Sequence, residues 1–125
     1  MKRWLIALSV LFLLTGCAKS VSNETISNPD RNIVKNSYLE QKVEILDHHT
    51  RYTNGLLEAM VQLHNKTKDF QDLEYRFIWL DSDGFVAEKE PWQPLTLNGL
   101  ETTQVNSIAH TPNATDFKFE IRQKQ

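Results

Sequence analysis

The feature that most constrains this chain is an alternation of period two that recurs from Val43 to Arg122. Val43 and Ile45 alternate with Lys42, Glu44 and Leu46. Leu57, Ala59, Val61 and Leu63 alternate with Glu58, Met60, Gln62 and His64. Leu73, Tyr75, Phe77 and Trp79 interleave with Glu74, Arg76, Ile78 and Leu80, and Phe117, Phe119 and Ile121 with Lys118, Glu120 and Arg122. Successive side chains of an extended strand point to opposite faces, so each stretch reads as a strand with one face on a core and the other in water. No long helical stripe follows Cys17, and only a short helix fits, near Asp30 to Leu39.

Turn chemistry separates these stretches. Thr53-Asn54-Gly55 is a hairpin signal between the segments at Val43 and Leu57. Asn65-Lys66-Thr67-Lys68-Asp69 is a polar loop, and Asp81-Ser82-Asp83-Gly84 a tight turn with Gly84 expected at positive φ. Asn98-Gly99 divides Leu95-Thr96-Leu97 from Thr102 to Ile108, and Pro112-Asn113 precedes the last strand. About seven short strands joined in this way predict an all-β fold, an antiparallel two-sheet sandwich of immunoglobulin-like or fibronectin-like kind with Trp79 in its core. A small β-barrel is the alternative.

The amino terminus reads differently. Met1-Lys2-Arg3 is basic, and the apolar run Trp4 to Leu14, broken only by Ser9, is little more than half the roughly 20 residues a spanning helix needs. It fits the hydrophobic region of a secretory signal. Leu14-Thr15-Gly16-Cys17 then matches a lipobox, which places cleavage between Gly16 and Cys17 and a diacylglyceryl group on the Cys17 sulfur. Two or more acyl chains anchor stably where one does not. Cys17 is the single cysteine, so no intrachain disulfide forms and the exported domain depends on its core alone. The expected division is a signal peptide over 1–16, a lipidated cysteine with a flexible polar tether over 17–36, and a β-sandwich domain over 37–125. Ala18-Lys19 lacks the Asp that retains enteric lipoproteins in the inner membrane, so the expected address is the outer membrane, facing the periplasm. The formal charge of −2 becomes more negative once Lys2 and Arg3 are removed, which gives no electrostatic basis for binding nucleic acid.

The segment from Val61 to Arg122 carries a family resemblance. Its parts are Leu63-His64-Asn65-Lys66-Thr67, the string from Leu73 through Tyr75-Arg76-Phe77-Ile78-Trp79-Leu80-Asp81 to Gly84, then Trp92-Gln93-Pro94-Leu95, Ala109 and Phe117 to Arg122. Together they resemble the YcfL-like periplasmic lipoproteins of Gram-negative bacteria, a family without an established function. The resemblance implies a β-sandwich lipoprotein of the cell envelope and no catalytic residues.

Several side chains have the types, though not the spacing, of chemical sites. Asp81-Ser82-Asp83-Gly84 resembles the start of a calcium loop, but its glycine comes too early and Phe85 and Val86 offer no side-chain oxygen. His48, His49 and His64 are zinc-type residues, yet His48 and His49 are adjacent and point to opposite faces of a strand. No serine lies in a nucleophile elbow, and lipidation consumes the thiol, so no enzyme, cofactor or metal is expected. Asn23, Asn65 and Asn113 begin glycosylation-type sequons; local turn bonding is the expected role of Asn65. Glu88 to Pro94 is the most suggestive segment, because prolines at 91 and 94 hold Trp92 extended, either packed on a sandwich edge or offered to a partner. The expected function is therefore a non-enzymatic envelope lipoprotein, held on the membrane by its lipid, that binds or supports another periplasmic or outer-membrane component. A partner strand at an exposed sheet edge is one mode, and a partner in cell-wall synthesis is an analogy with other lipoproteins. The alternative is a small-ligand carrier or sensor with a pocket between the sheets or beneath Trp92.

Overall fold

A computed structural model describes residues 33–125. The leader, the lipobox with Gly16 and Cys17, most of the tether and the sequon at Asn23 lie outside the described residues. The elements are β1 (Ile33–Val34), α1 (Ser37–Glu40), β2 (Val43–Thr53), β3 (Leu56–Asn65), β4 (Gln71–Leu80), β5 (Val86–Lys89), β6 (Gln93–Leu97), β7 (Thr102–Ile108) and β8 (Asp116–Gln123). Two sheets pack as the expected sandwich. One runs β1-β8-β4-β5, with β6 also paired to β4; the other runs β2-β3-β7. All pairings are antiparallel except the short one of β1 on β8.

The hairpin at Asn54-Gly55 has both residues at positive φ, 54° and 80°, the turn whose twist matches paired strands. Gly84 also takes positive φ, at 88°. At the Asn98-Gly99 turn the left-handed residue is Leu100, φ 63°, while Gly99 is needed for another reason: a Cβ there would lie 2.1 Å from the Lys68 carbonyl oxygen.

Three features add detail to the sequence reading. Sheet structure is present at Ile33, where β1 pairs with Phe119 and Glu120. The short helix covers only Ser37–Glu40; the Asn36 side chain caps it by accepting from the Leu39 N–H at 2.8 Å, and Leu39 is fully buried. In β2 the register slips between Ile45 and Asp47, which leaves Leu46 exposed and turns His48 inward, its ring edge-on to Phe117 at 5.8 Å.

The inward residues of β3, β4 and β8 form the core, with Leu57, Ala59, Val61 and Leu63 facing Leu73, Phe77, Trp79, Phe117, Phe119 and Ile121. Phe77 stacks on Trp79 with centroids 5.6 Å apart and packs edge-on to Phe119 at 5.2 Å. One polar side chain, Asn65, is buried with them. Its Nδ2 donates to the carbonyls of Asp69, Leu97 and Asn98, and its Oδ1 accepts from the N–H and hydroxyl of Thr67. That node joins the loop after β3 to the turn after β6, the turn-bonding role expected for it.

Trp79→Ala is expected to lower the unfolding free energy by about 3–5 kcal/mol, because removing a fully buried indole leaves a cavity and takes one donor from the Glu90 carboxylate. A chemical denaturation curve of the full chain measures it.

Candidate functional site

β4 is long enough to pair with two short strands on one edge: with β6 over Gln71 to Tyr75, and with β5 over Ile78 to Leu80. Between those strands the chain reads Glu90-Pro91-Trp92. Pro91 has no N–H and cannot continue the ladder, so the row breaks there. Glu90 makes the last contact, its N–H bonding the Phe77 carbonyl at 3.1 Å.

The break sends two side chains in different directions. The Glu90 carboxylate meets the indole of the buried Trp79, whose Nε1 donates to Oε2 at 2.9 Å, and the same oxygen accepts from the hydroxyl of Ser107 on the opposite sheet. Trp92 instead lies half-buried against the outer face of β4 and β8, with the guanidinium of Arg76 4.3 Å and that of Arg122 3.8 Å from its ring centre. Those arginines are themselves held by cross-strand acids, Arg76 by Glu120 at 2.7 Å and Arg122 by Glu74 at 2.9 Å. Trp92 is thus a fixed side chain under two cations.

On the inner side of the break lies a groove of about 410 Å³, lined by Tyr75, Glu90, Pro91, Gln93, Asn106, Ser107 and His110. It opens along the flank where β7 faces the β5–β6 row. Burial, and then the charge of Glu90, raise the Tyr75 phenol above the usual tyrosine value, so it is a neutral donor. At the groove's mouth Glu88 clamps His110, its two oxygens engaging the backbone N–H and the ring Nδ1, each at 2.7 Å. That carboxylate raises the His110 pKa. Two further clefts lie elsewhere: one of about 250 Å³ around His49, Arg51, Glu58 and Met60, and one of about 390 Å³ around Lys35, Glu40, Glu44 and Lys66.

The sequence-selected residues are kept apart. His48 packs on Phe117, His49 bonds Asp47 at 2.8 Å, and His64 bonds the Thr102 hydroxyl at 2.9 Å. Asp81 Oδ1 accepts from the N–H groups of Asp83 and Phe85, which commits it to the turn. Pattern does not single out Ser107 or His110; it reads Tyr75 as an inward strand residue and places Glu90 within the suggestive segment 88–94 without a role of its own. The only signal was the acid standing directly before Pro91 in a segment of strand-forming residues.

A family model described as "Protein of unknown function (DUF1425)" matches residues 30–123. Two crystal structures are similar. A Campylobacter jejuni protein is 28% identical with a TM-score of 0.64, covering 74% of this chain and 98% of its own. A DUF1425 family member from a Shewanella species is 27% identical with a TM-score of 0.62, covering 66% of this chain and 79% of its own. No curated protein matches in sequence.

The Glu88 clamp sets a pH dependence. The folded His110 pKa is raised, so the stabilisation is complete below the ordinary histidine value of roughly 6.5 and is lost as pH rises through the raised value. A histidine-resolved NMR titration is expected to place the His110 midpoint above that of an unpaired histidine, and Glu88→Gln to bring it back down.

Proposed function

The chain belongs to the DUF1425 family, and from that premise we propose that it is a YcfL-like, lipid-anchored envelope lipoprotein whose sandwich is a non-enzymatic docking module for another envelope protein. Anchoring rests on Leu14-Thr15-Gly16-Cys17, where small residues precede a cysteine that is the only thiol of the chain. The Cys17 sulfur takes the diacylglyceryl group, the leader is cut between Gly16 and Cys17, and Ala18-Lys19 directs the product to the outer membrane, facing the periplasm.

One observation carries the docking reading. The space between the sheets is filled by Leu63, Phe77, Trp79, Phe117 and Phe119, while the groove with a half-buried carboxylate lies at the flank. A ligand carrier needs an enclosed apolar pocket with a few convergent polar groups; a lateral groove open along its length suits a partner's chain. The four histidines of the sandwich, His48, His49, His64 and His110, are each engaged with a different residue, which supports binding over acid–base chemistry.

Intact mass of the membrane-extracted protein is expected to give a chain starting at Cys17 with diacylglyceryl and acyl mass added. Cys17→Ser is expected to abolish both the added mass and sedimentation with membranes. A wild-type chain recovered from the periplasmic fluid with a bare thiol would overturn the anchoring.

A further inference from the structure

The two sheets are unequal. One has four rows, β1, β8, β4 and the shared β5–β6 row, and the other has three, β2, β3 and β7. A sandwich of unequal sheets is open at its sides. One side, between β1 and β2, is stopped by α1, whose Leu39 enters the core and is fully buried. The other side, between β7 and the β5–β6 row, is the groove containing Glu90.

The edge of β7 beside that groove carries unpaired backbone groups. Glu101 accepts from the Asn65 N–H and Ala109 donates to the Leu57 carbonyl, so the odd-numbered residues between them exchange bonds with β3. In an antiparallel ladder the intervening residues point their N–H and C=O groups the other way. Those of Thr102, Gln104, Asn106 and Ile108 therefore face outward, and they meet no backbone partner among the described residues.

Sheet edges are normally guarded by charge, proline, a bulge or brevity. The other edges here use these devices. β2 has a bulge with Glu44, Asp47 and Arg51 along it, β5 is four residues long with Lys89, and β6 contains Pro94. β7, Thr-Thr-Gln-Val-Asn-Ser-Ile, has no charged residue, no proline and an unbroken register. In the adjoining groove, Glu90 uses only Oε2, and Oε1 has no hydrogen-bond partner among the described residues.

We propose that β7 is a docking edge: an extended segment of an envelope partner protein adds to it as a fourth strand of the smaller sheet, with a lysine or arginine of that segment directed at Glu90 Oε1. Main-chain bonds to Gln104, Asn106 and Ile108 supply the affinity, and the carboxylate selects a basic side chain. The added strand equalises the sheets and covers Tyr75 and Gln93. This proposal rests on the docking reading above.

Photo-crosslinking amino acids placed at Gln104 and Asn106 of the full lipidated chain, in the native envelope, test it, with Lys118 on the outer face of the larger sheet and Leu100 at a turn as comparison positions. Both edge positions are expected to join one partner segment at sites about two residues apart, in a stretch containing Lys or Arg. Glu90→Gln, which still accepts from Trp79, is expected to reduce the yield about ten-fold. Asn106→Pro removes an outward N–H without touching the β3 ladder, and is expected to end capture at Gln104 while the denaturation midpoint changes little. Crosslinks from β7 to β7 of a second copy, or yields untouched by Glu90→Gln, would overturn the docking edge. Capture at the comparison positions alone would refute the edge and leave the docking reading standing. Capture at no position would refute both. If Asn106→Pro fails to fold, the Glu90→Gln yield and the two-residue spacing still decide.

Discussion

The bond between the Trp79 indole and the Glu90 carboxylate is the constraint around which the rest is arranged. An indole with no exposed surface needs an acceptor for its N–H, since an unpaired buried donor costs roughly 1–3 kcal/mol. The acceptor is a side chain and not a backbone carbonyl. The acceptor arrives from the edge row, at the position where Pro91 ends the ladder. A half-buried carboxylate is itself expensive unless it is bonded, and here the same oxygen also takes the hydroxyl of Ser107 from the opposite sheet. One side chain thus satisfies the core, ties the sheets together and leaves a negative charge at the flank.

Trp92 holds that arrangement from the other side of the sheet. The register places Glu74 opposite Arg122 and Arg76 opposite Glu120, so the two ion pairs lie side by side on the outer face. Both pairs are half-buried on that face, and ion pairs at a protein surface contribute little singly. Here the two guanidinium groups also meet one indole ring, and a cation over a tryptophan contributes about 0.5–1 kcal/mol at exposed sites. The ordering of each arginine is therefore shared between an acid and a ring. Because Trp92 is two residues from Glu90, fixing the ring also limits how far the broken segment can move.

What could be read in the residues was whatever depends on near neighbours along the chain. Alternation around Leu73 to Trp79 and Phe117 to Ile121 identified the central strands and their inward faces, and Asn54-Gly55 identified the hairpin. The bulge at Leu46 was hidden because Val43, Ile45 and Leu46 fit an unbroken strand equally well until β3 sets the register. The pairing of Ile33-Val34 with β8 was hidden for the same reason, its partner lying at the other end of the chain. Trp79 was legible as core, but its acceptor was not. Only the proline that follows Glu90 distinguishes it locally from Glu88, which serves His110 at the surface. Only the fold brings Trp79, Glu90 and Ser107 together.

The order of rows also separates two demands on the domain. The chain enters the sandwich at β1, the first row of the larger sheet, and α1 follows directly to close that side. The β5–β6 row and β7 stand at the far end of their sheets, the first separated from the entry strand by β8 and β4, the second from β2 by β3. The strand at which the described chain enters therefore lies on one flank, while the unguarded edge sits on the other. Loading the entry flank bears on β1 and β8, whereas a strand added at β7 bears on β3 and on Glu90 through Ser107. The two flanks are joined by the continuous ladder of the larger sheet and by the aromatic core, in which Phe77 touches both Trp79 on its own strand and Phe119 on β8. Such a core is close-packed and of low compressibility, so a load placed on either flank is passed across the sandwich through Phe77.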